Sequence, residues 1–171
     1  MRDFLIDTNI WEYWFNEKRQ PQHANVLRRV HDLEMRDGGS RVWISSITWG
    51  ELEYGYQTQG DTQISLEMPF RKFILDIGPK EFPVDRHVTR DYGRIRAMLF
   101  DKYGPAERKR RGLRPEQLID PVTSLQLQIQ ENDLWIVSQA IARNLTLVTN
   151  DTMRPLVEVA GGDLHIENWA T

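Results

Sequence analysis

The sequence predicts an α/β fold, a three-layer sandwich around a mainly parallel central sheet. Short apolar runs rich in β-branched and aromatic residues alternate with stretches of helical periodicity along the whole chain. Two of these runs end directly in polar stretches carrying an aspartate, Asp7 and Asp151. An open parallel sheet binds its ligands there, beyond the carboxyl ends of its strands. The chain shows no internal repeat and no second-domain boundary, so residues 1–171 are expected to form one domain.

Phe4-Leu5-Ile6 reads as a short buried strand with Asp7-Thr8-Asn9 at its carboxyl end, where Thr8 or Asn9 can cap the next helix. The same three residues also suit a plain capping turn. Ile10, Trp11 and Trp14 mark a short helix whose aromatics pack into the core, with Trp11 and Trp14 as anchors for an apolar partner helix the alternative. Pro21 opens a second helix with the stripe Val26, Leu27, Val30 and Leu33, ended by Gly38-Gly39. Val42-Trp43-Ile44 is the next strand. Ser45 or Ser46 then caps a helix through Tyr54 that carries Glu51 about one and a half turns in. Another amphipathic segment holds Leu66, Phe70, Phe73 and Ile74. Phe82-Pro83-Val84 predicts an edge strand, because proline donates nothing to a ladder. Val88, Tyr92, Ile95 and Leu99 share one face of a helix over about 86–99, with Asp85 and Asp91 read as capping and solvated acids.

The stretch from Asn132 to Asp151 organises the rest. Leu134, Ile136, Val137, Ala140 and Ile141 recur at helical spacing, with Asn132 placed as N-cap and Asp133 in the first turn. Arg143 and Asn144 suit the helix end, Leu145 to Val148 form a strand, and Asp151 follows just beyond it. Asp133 fits a cap as well as a site, and Asn150-Asp151 fits a simple turn. A Gly161-Gly162 turn and a strand over Leu164 to Glu167 close the chain, with Trp169 as a lid on the core.

Hydrophobic residues make up 40% and charged residues 27%, the composition of an ordinary globular protein. No apolar run approaches the roughly 20 residues of a membrane helix, and MRDFLID lacks a secretory apolar segment. The absence of cysteine excludes disulfides and thiolate metal sites and points to a cytoplasmic location. A net charge of −3 gives no global attraction to nucleic acid, so such binding requires a local basic surface or metal ions.

Under this fold Asp7, Glu51, Asp133 and Asp151 can converge on one sheet edge. Close carboxylates repel and raise one another's pKa unless a cation neutralises them. Oxygen ligands without Cys or His favour Mg²⁺ or Mn²⁺. Such ions activate water and stabilise a leaving oxygen, so the chemistry expected is metal-assisted phosphodiester hydrolysis. A non-catalytic binding module is a competing reading, against which the presence of all four acids argues. An aspartyl-phosphate phosphohydrolase with Asp7 as nucleophile is another. It lacks the second aspartate usual two residues on.

LIDTNIW at 5–11, ITWGELEYG at 47–55, ENDLWIVSQAIARNLTLVTND at 131–151 and HIENW at 165–169 together resemble PIN-domain ribonucleases. They most resemble the VapC-type toxins of toxin–antitoxin pairs. The resemblance implies a PIN-like (Rossmann-like) sheet, an endoribonuclease dependent on Mg²⁺ or Mn²⁺, an RNA substrate, a homodimer and inhibition by a cognate antitoxin. Carried over, Asp7, Glu51, Asp133 and Asp151 are the acidic quartet and Thr149 is the hydroxyl residue before the last acid. A PIN nuclease of RNA processing fits the same motifs. Two departures stand out. Val137-Ser138 replaces a pair of alanines, and the segment before Asp133 is longer and more basic than usual.

That segment is read as a basic loop insert at about 101–117, which bears on substrate choice. Lys102, Arg108, Lys109, Arg110, Arg111 and Arg114 crowd a stretch with little apolar content in an otherwise acidic chain. Arg108, Lys109, Arg110 and Arg111 are the candidate RNA contacts. A solvated loop without a partner is the alternative.

Overall fold

The apolar runs pair into one five-stranded sheet: β1 (Asp3–Ile6), β2 (Arg41–Ser45), β3 (Lys80–Phe82), β4 (Thr146–Val148) and β5 (His165–Glu167). Its order is β3-β2-β1-β4-β5, and the strands run parallel, as the fold class predicts. Parallel strands need crossover connections, which helices provide here. These are α1 (Thr8–Phe15), α2 (Gln22–Asp37), α3 (Ser46–Thr58), α4 (Ile64–Ile77), α5 (Arg86–Tyr103), α6 (Glu131–Ala142) and α7 (Arg154–Ala160). The computed structural model describes residues 2–37, 41–58, 64–105 and 112–171. None of the described helices is long and apolar enough to cross a membrane.

The chain folds as two compact units. The first comprises Met1–Pro83, Leu145–Asp151 and Ile166–Thr171. On one face of its sheet Phe4, Ile6, Ile44 and Val148 meet Ile10, Trp11, Trp14, Val26, Phe70, Ile74 and Trp169 in a single apolar core. Trp11 and Trp14 are stacked with ring centroids 5.3 Å apart. Both are buried, which makes them core and removes them as anchors for a partner helix. Trp169 meets Phe4 edge-on at 5.2 Å, and its indole N–H donates to Glu167 Oε2 at 3.1 Å. It closes the core as expected. Gly78 ends α4 with φ +67°, donating its N–H to the Ile74 and Leu75 carbonyls, a conformation that favours glycine.

The second unit comprises Val84–Asn144 and Thr152–His165, with α5 packed against both α6 and α7. Asp85 caps α5, accepting from the His87 and Val88 N–H groups at 2.8 and 3.1 Å. Asn144 ends the α6 segment at φ +51°, a left-handed conformation that asparagine tolerates.

The structure moves several expected boundaries. The edge strand is Lys80–Phe82 rather than residues 82–84, because Pro83 has no N–H to continue the ladder. The N-cap of α1 is Asp7, not Thr8 or Asn9, and its carboxylate accepts from Thr8 N–H at 2.8 Å. Asn132 is not the cap of α6. Gln130 is, and Asp133 reaches back to accept from its backbone N–H at 2.7 Å. Helix α5 runs past Leu99 to Tyr103, since Lys102 and Tyr103 find a partner in Glu158 Oε2 at 2.7 and 2.6 Å. Residues 101–103 of the expected insert are therefore helix, and Lys102 is an ion-paired side chain. At the other end Pro115–Gln117 form a 3-10 turn with Pro115 buried. Arg108, Lys109, Arg110 and Arg111 lie outside the described residues.

Candidate active site

Strand order dictates where the site lies. From β1 the chain moves outward through β2 and β3, then returns to the other side of β1 for β4 and β5. The crevice beyond β1 and β4 is thus a topological switch point, the place where open α/β sheets bind ligands. Register decides which residues meet there. Ile6 lies opposite Val148, and Asp7 N–H still donates to the Val148 carbonyl at 3.0 Å. The next residues on each strand, Asp7 and Thr149, therefore leave the sheet side by side.

Their side chains join. The Thr149 hydroxyl donates to Asp7 Oδ2 at 2.7 Å and accepts from Asp151 N–H at 3.0 Å. The Asn9 amide nitrogen donates to Asp7 Oδ2 at 3.1 Å, Thr149 Oγ1 at 3.2 Å and Asp151 Oδ2 at 3.0 Å. On the opposite flank, α3 starts directly from β2, where Ser45 Oγ accepts from Ile47 N–H at 2.9 Å. Glu51 lies on this helix, and its Oε2 accepts from the Thr8 hydroxyl. Asp7, Glu51, Thr149 and Asp151 are thus linked through hydrogen bonds into one cluster. It grades from buried Asp7 and Thr149 through half-buried Glu51 to exposed Asp151.

Asp133 belongs to the second unit, where its carboxylate closes the first turn of α6. The roles of Thr8 and Asn9 were missed in the sequence, which offered them only as caps. The available signal was Asp7 itself: an aspartate ending a strand can take the N-cap, which frees the next two polar side chains to face the crevice.

Burial pushes the Asp7 carboxyl up to about 6, against the opposing effect of hydrogen bonds from Thr149 and Thr8, and repulsion from Glu51 and Asp151 adds to the rise. Among the described residues, no three Asp, Glu or His side chains stand close enough together to hold a metal ion as they are placed. The donor chemistry nevertheless suits a hard cation. The cluster offers carboxylate and hydroxyl oxygens, and its most buried carboxylate is ionised at a cost that a positive charge relieves.

A parallel sheet with acids gathered at its switch point defines a class of α/β domains, and comparison with known proteins places the chain within it. The chain belongs to the PIN-domain family, which it matches over residues 4–161. It is 30% identical over 173 residues to Ribonuclease VapC2 of Rickettsia felis, with 97% of each chain covered. Among solved structures, VapBC2 from Rickettsia felis bound to a DNA fragment from their promoter is similar at 25% identity and a TM-score of 0.66, over 98% of each chain. DNA-bound VapBC from Salmonella typhimurium shares the fold at 22% identity and a TM-score of 0.64, over 99% of each chain.

Proposed function

We propose that this chain is a VapC-type endoribonuclease that cleaves RNA phosphodiester bonds with Mg²⁺ or Mn²⁺ and acts as the toxin of a toxin–antitoxin pair. The observation that carries the reading is the Asp7–Thr149 contact at the switch point, with Glu51 and Asp151 tied to the same cluster. Identity of 30% with a protein named Ribonuclease VapC2, over 97% of its length, supports the activity. The family match runs through both compact units, which supports a single PIN domain over residues 1–171.

Asp7, Glu51 and Asp151 would hold the ion. When bound, a divalent ion lowers the pKa of a water and shields charge on the scissile phosphate and leaving oxygen. Thr149 fixes the orientation of Asp7 by donating to Oδ2, and Thr8 does the same for Glu51. The solved relatives are VapBC assemblies, which supports an antitoxin as partner. An antitoxin arginine inserted among these carboxylates would block the site by charge-assisted pairing. The protein is expected to be a cytoplasmic homodimer.

Purified protein is expected to cut total RNA in Mg²⁺ or Mn²⁺ and to stop in excess EDTA. Cleavage that persists in chelator sinks the metal assignment. Expression that leaves growth unaffected, with no neighbouring gene product co-purifying, moves the role to RNA processing.

The basic insert is proposed to contact the RNA substrate. Neutralising Arg108, Lys109, Arg110 and Arg111 together removes up to four phosphate contacts, each contributing about −0.7 to the slope of log affinity against log salt. RNA affinity is expected to fall and that slope to flatten, while metal binding stays intact. Filter binding over about 50–200 mM salt reads both. An unchanged slope makes the insert a solvated loop.

A further inference from the structure

Asn9, on the first turn of α1, contacts both sides of the switch point with one planar group. Its amide nitrogen faces Asp7 Oδ2, Thr149 Oγ1 and Asp151 Oδ2 at 3.1, 3.2 and 3.0 Å, and its carbonyl oxygen accepts from Asn150 N–H at 3.1 Å. The proton inventory is consistent with this orientation. The Thr149 proton is committed to Asp7, so its oxygen can only accept from Asn9, and Asn150 N–H requires an acceptor opposite it. Among the described residues, Asn9 is the only hydrogen-bond donor to the Asp151 carboxylate. That carboxylate is exposed, on the segment leaving β4, and no other described residue donates a hydrogen bond to it.

Resting on the nuclease reading, we propose that Asn9 is a positioning residue for the metal site: its amide aims the Asp7 and Asp151 carboxylates at a common ion and pins the Asn150–Asp151 backbone. A neutral donor suits this task. It orients two like charges without cancelling the negative potential that attracts the ion. Outer hydrogen-bond partners of metal ligands act in this way, and their loss weakens metal affinity by roughly 10–100-fold. Alanine removes the bridge outright. Serine suits the first turn of a helix but is too short to span from Asp7 to Asp151.

The test is calorimetric titration of Mn²⁺ into the metal-free full chain, without RNA, for wild type, Asn9→Ala and Asn9→Ser, with Tm measured in EDTA. Both variants are expected to bind Mn²⁺ on the order of 10-fold more weakly or worse, with Tm within about 3 °C of wild type, a shift that corresponds to only about 1 kcal/mol. If one variant fails to fold, the other serves. Affinity that is unchanged or tighter overturns the positioning role and leaves the nuclease reading standing. A fall in Tm that accompanies the loss of affinity in both variants makes Asn9 a structural residue and overturns it too. A wild-type chain that binds no Mn²⁺ overturns both readings.

Discussion

Replacing Asp7 with asparagine is expected to lower RNA cleavage by on the order of 100-fold or more, while leaving the metal-free protein as stable as wild type, or more so, above pH 6. The two effects share a cause. Folding buries Asp7 and raises its carboxyl from 3.8 to about 6, so the folded chain holds this proton more tightly than the unfolded chain does. In EDTA, the contribution of Asp7 to wild-type stability is therefore greatest below the unfolded pKa and declines as pH rises through this interval, reaching a plateau above about 6. The full decline is on the order of 3 kcal/mol. Asparagine carries no charge, so the decline disappears. One donor, from Thr8, Asn9 or Thr149, then faces an amide nitrogen, at a cost of roughly 1–2 kcal/mol. The variant should accordingly be weaker than wild type near pH 4 and stronger near pH 8. Urea unfolding in EDTA across that range checks the crossing, and a gel assay on RNA checks the activity. Retained cleavage, or a variant weaker than wild type at pH 8, would remove Asp7 from the centre of the site.

Trp169→Ala should be the most damaging core substitution near the end of the chain. The indole is 2% exposed, packs edge-on against Phe4, and donates to Glu167. Removing it loses the apolar burial and leaves a cavity, together about 3–5 kcal/mol. For a domain of this size that lowers Tm by roughly 10 °C or more. The damage should spread toward the site, because the Glu167 carbonyl of β5 accepts from Thr149 N–H at 3.1 Å. Thermal melts of wild type and variant measure the loss. A change below about 1 kcal/mol would mean that the C-terminal segment contributes little to the core.

The sequence made β1, β2, β4 and the acids around them legible, because apolar runs and the residues that end them are local signals. Glu51 could be placed because its distance from the start of α3 fixes its height on the helix. Other features depend on partners far along the chain. The last turn of α5 is tied down by Glu158, which accepts from Tyr103 55 residues upstream. The cap of α6 depends on backbone conformation at Gln130, where ψ is 161°, and no composition rule favours glutamine there over Asn132. Thr8 and Asn9 looked like caps because their true partners, Glu51, Thr149 and Asp151, are 43 to 142 residues away. Only the strand register brings these groups together.

The register between β1 and β4 also sets a timetable. Asp7 and Thr149 are separated by 142 residues, and a ribosome adding roughly 5–20 residues per second needs on the order of ten seconds to bridge that gap. Throughout that interval β1 lacks β4 as its neighbour, and Asp7 has no hydroxyl to orient it. The acidic cluster consequently cannot form before β4 has left the ribosome. A truncated translation product ending before β4 carries Asp7 and Glu51 but no assembled centre, so chemistry that could harm the cell making the protein is deferred until β4 has been made.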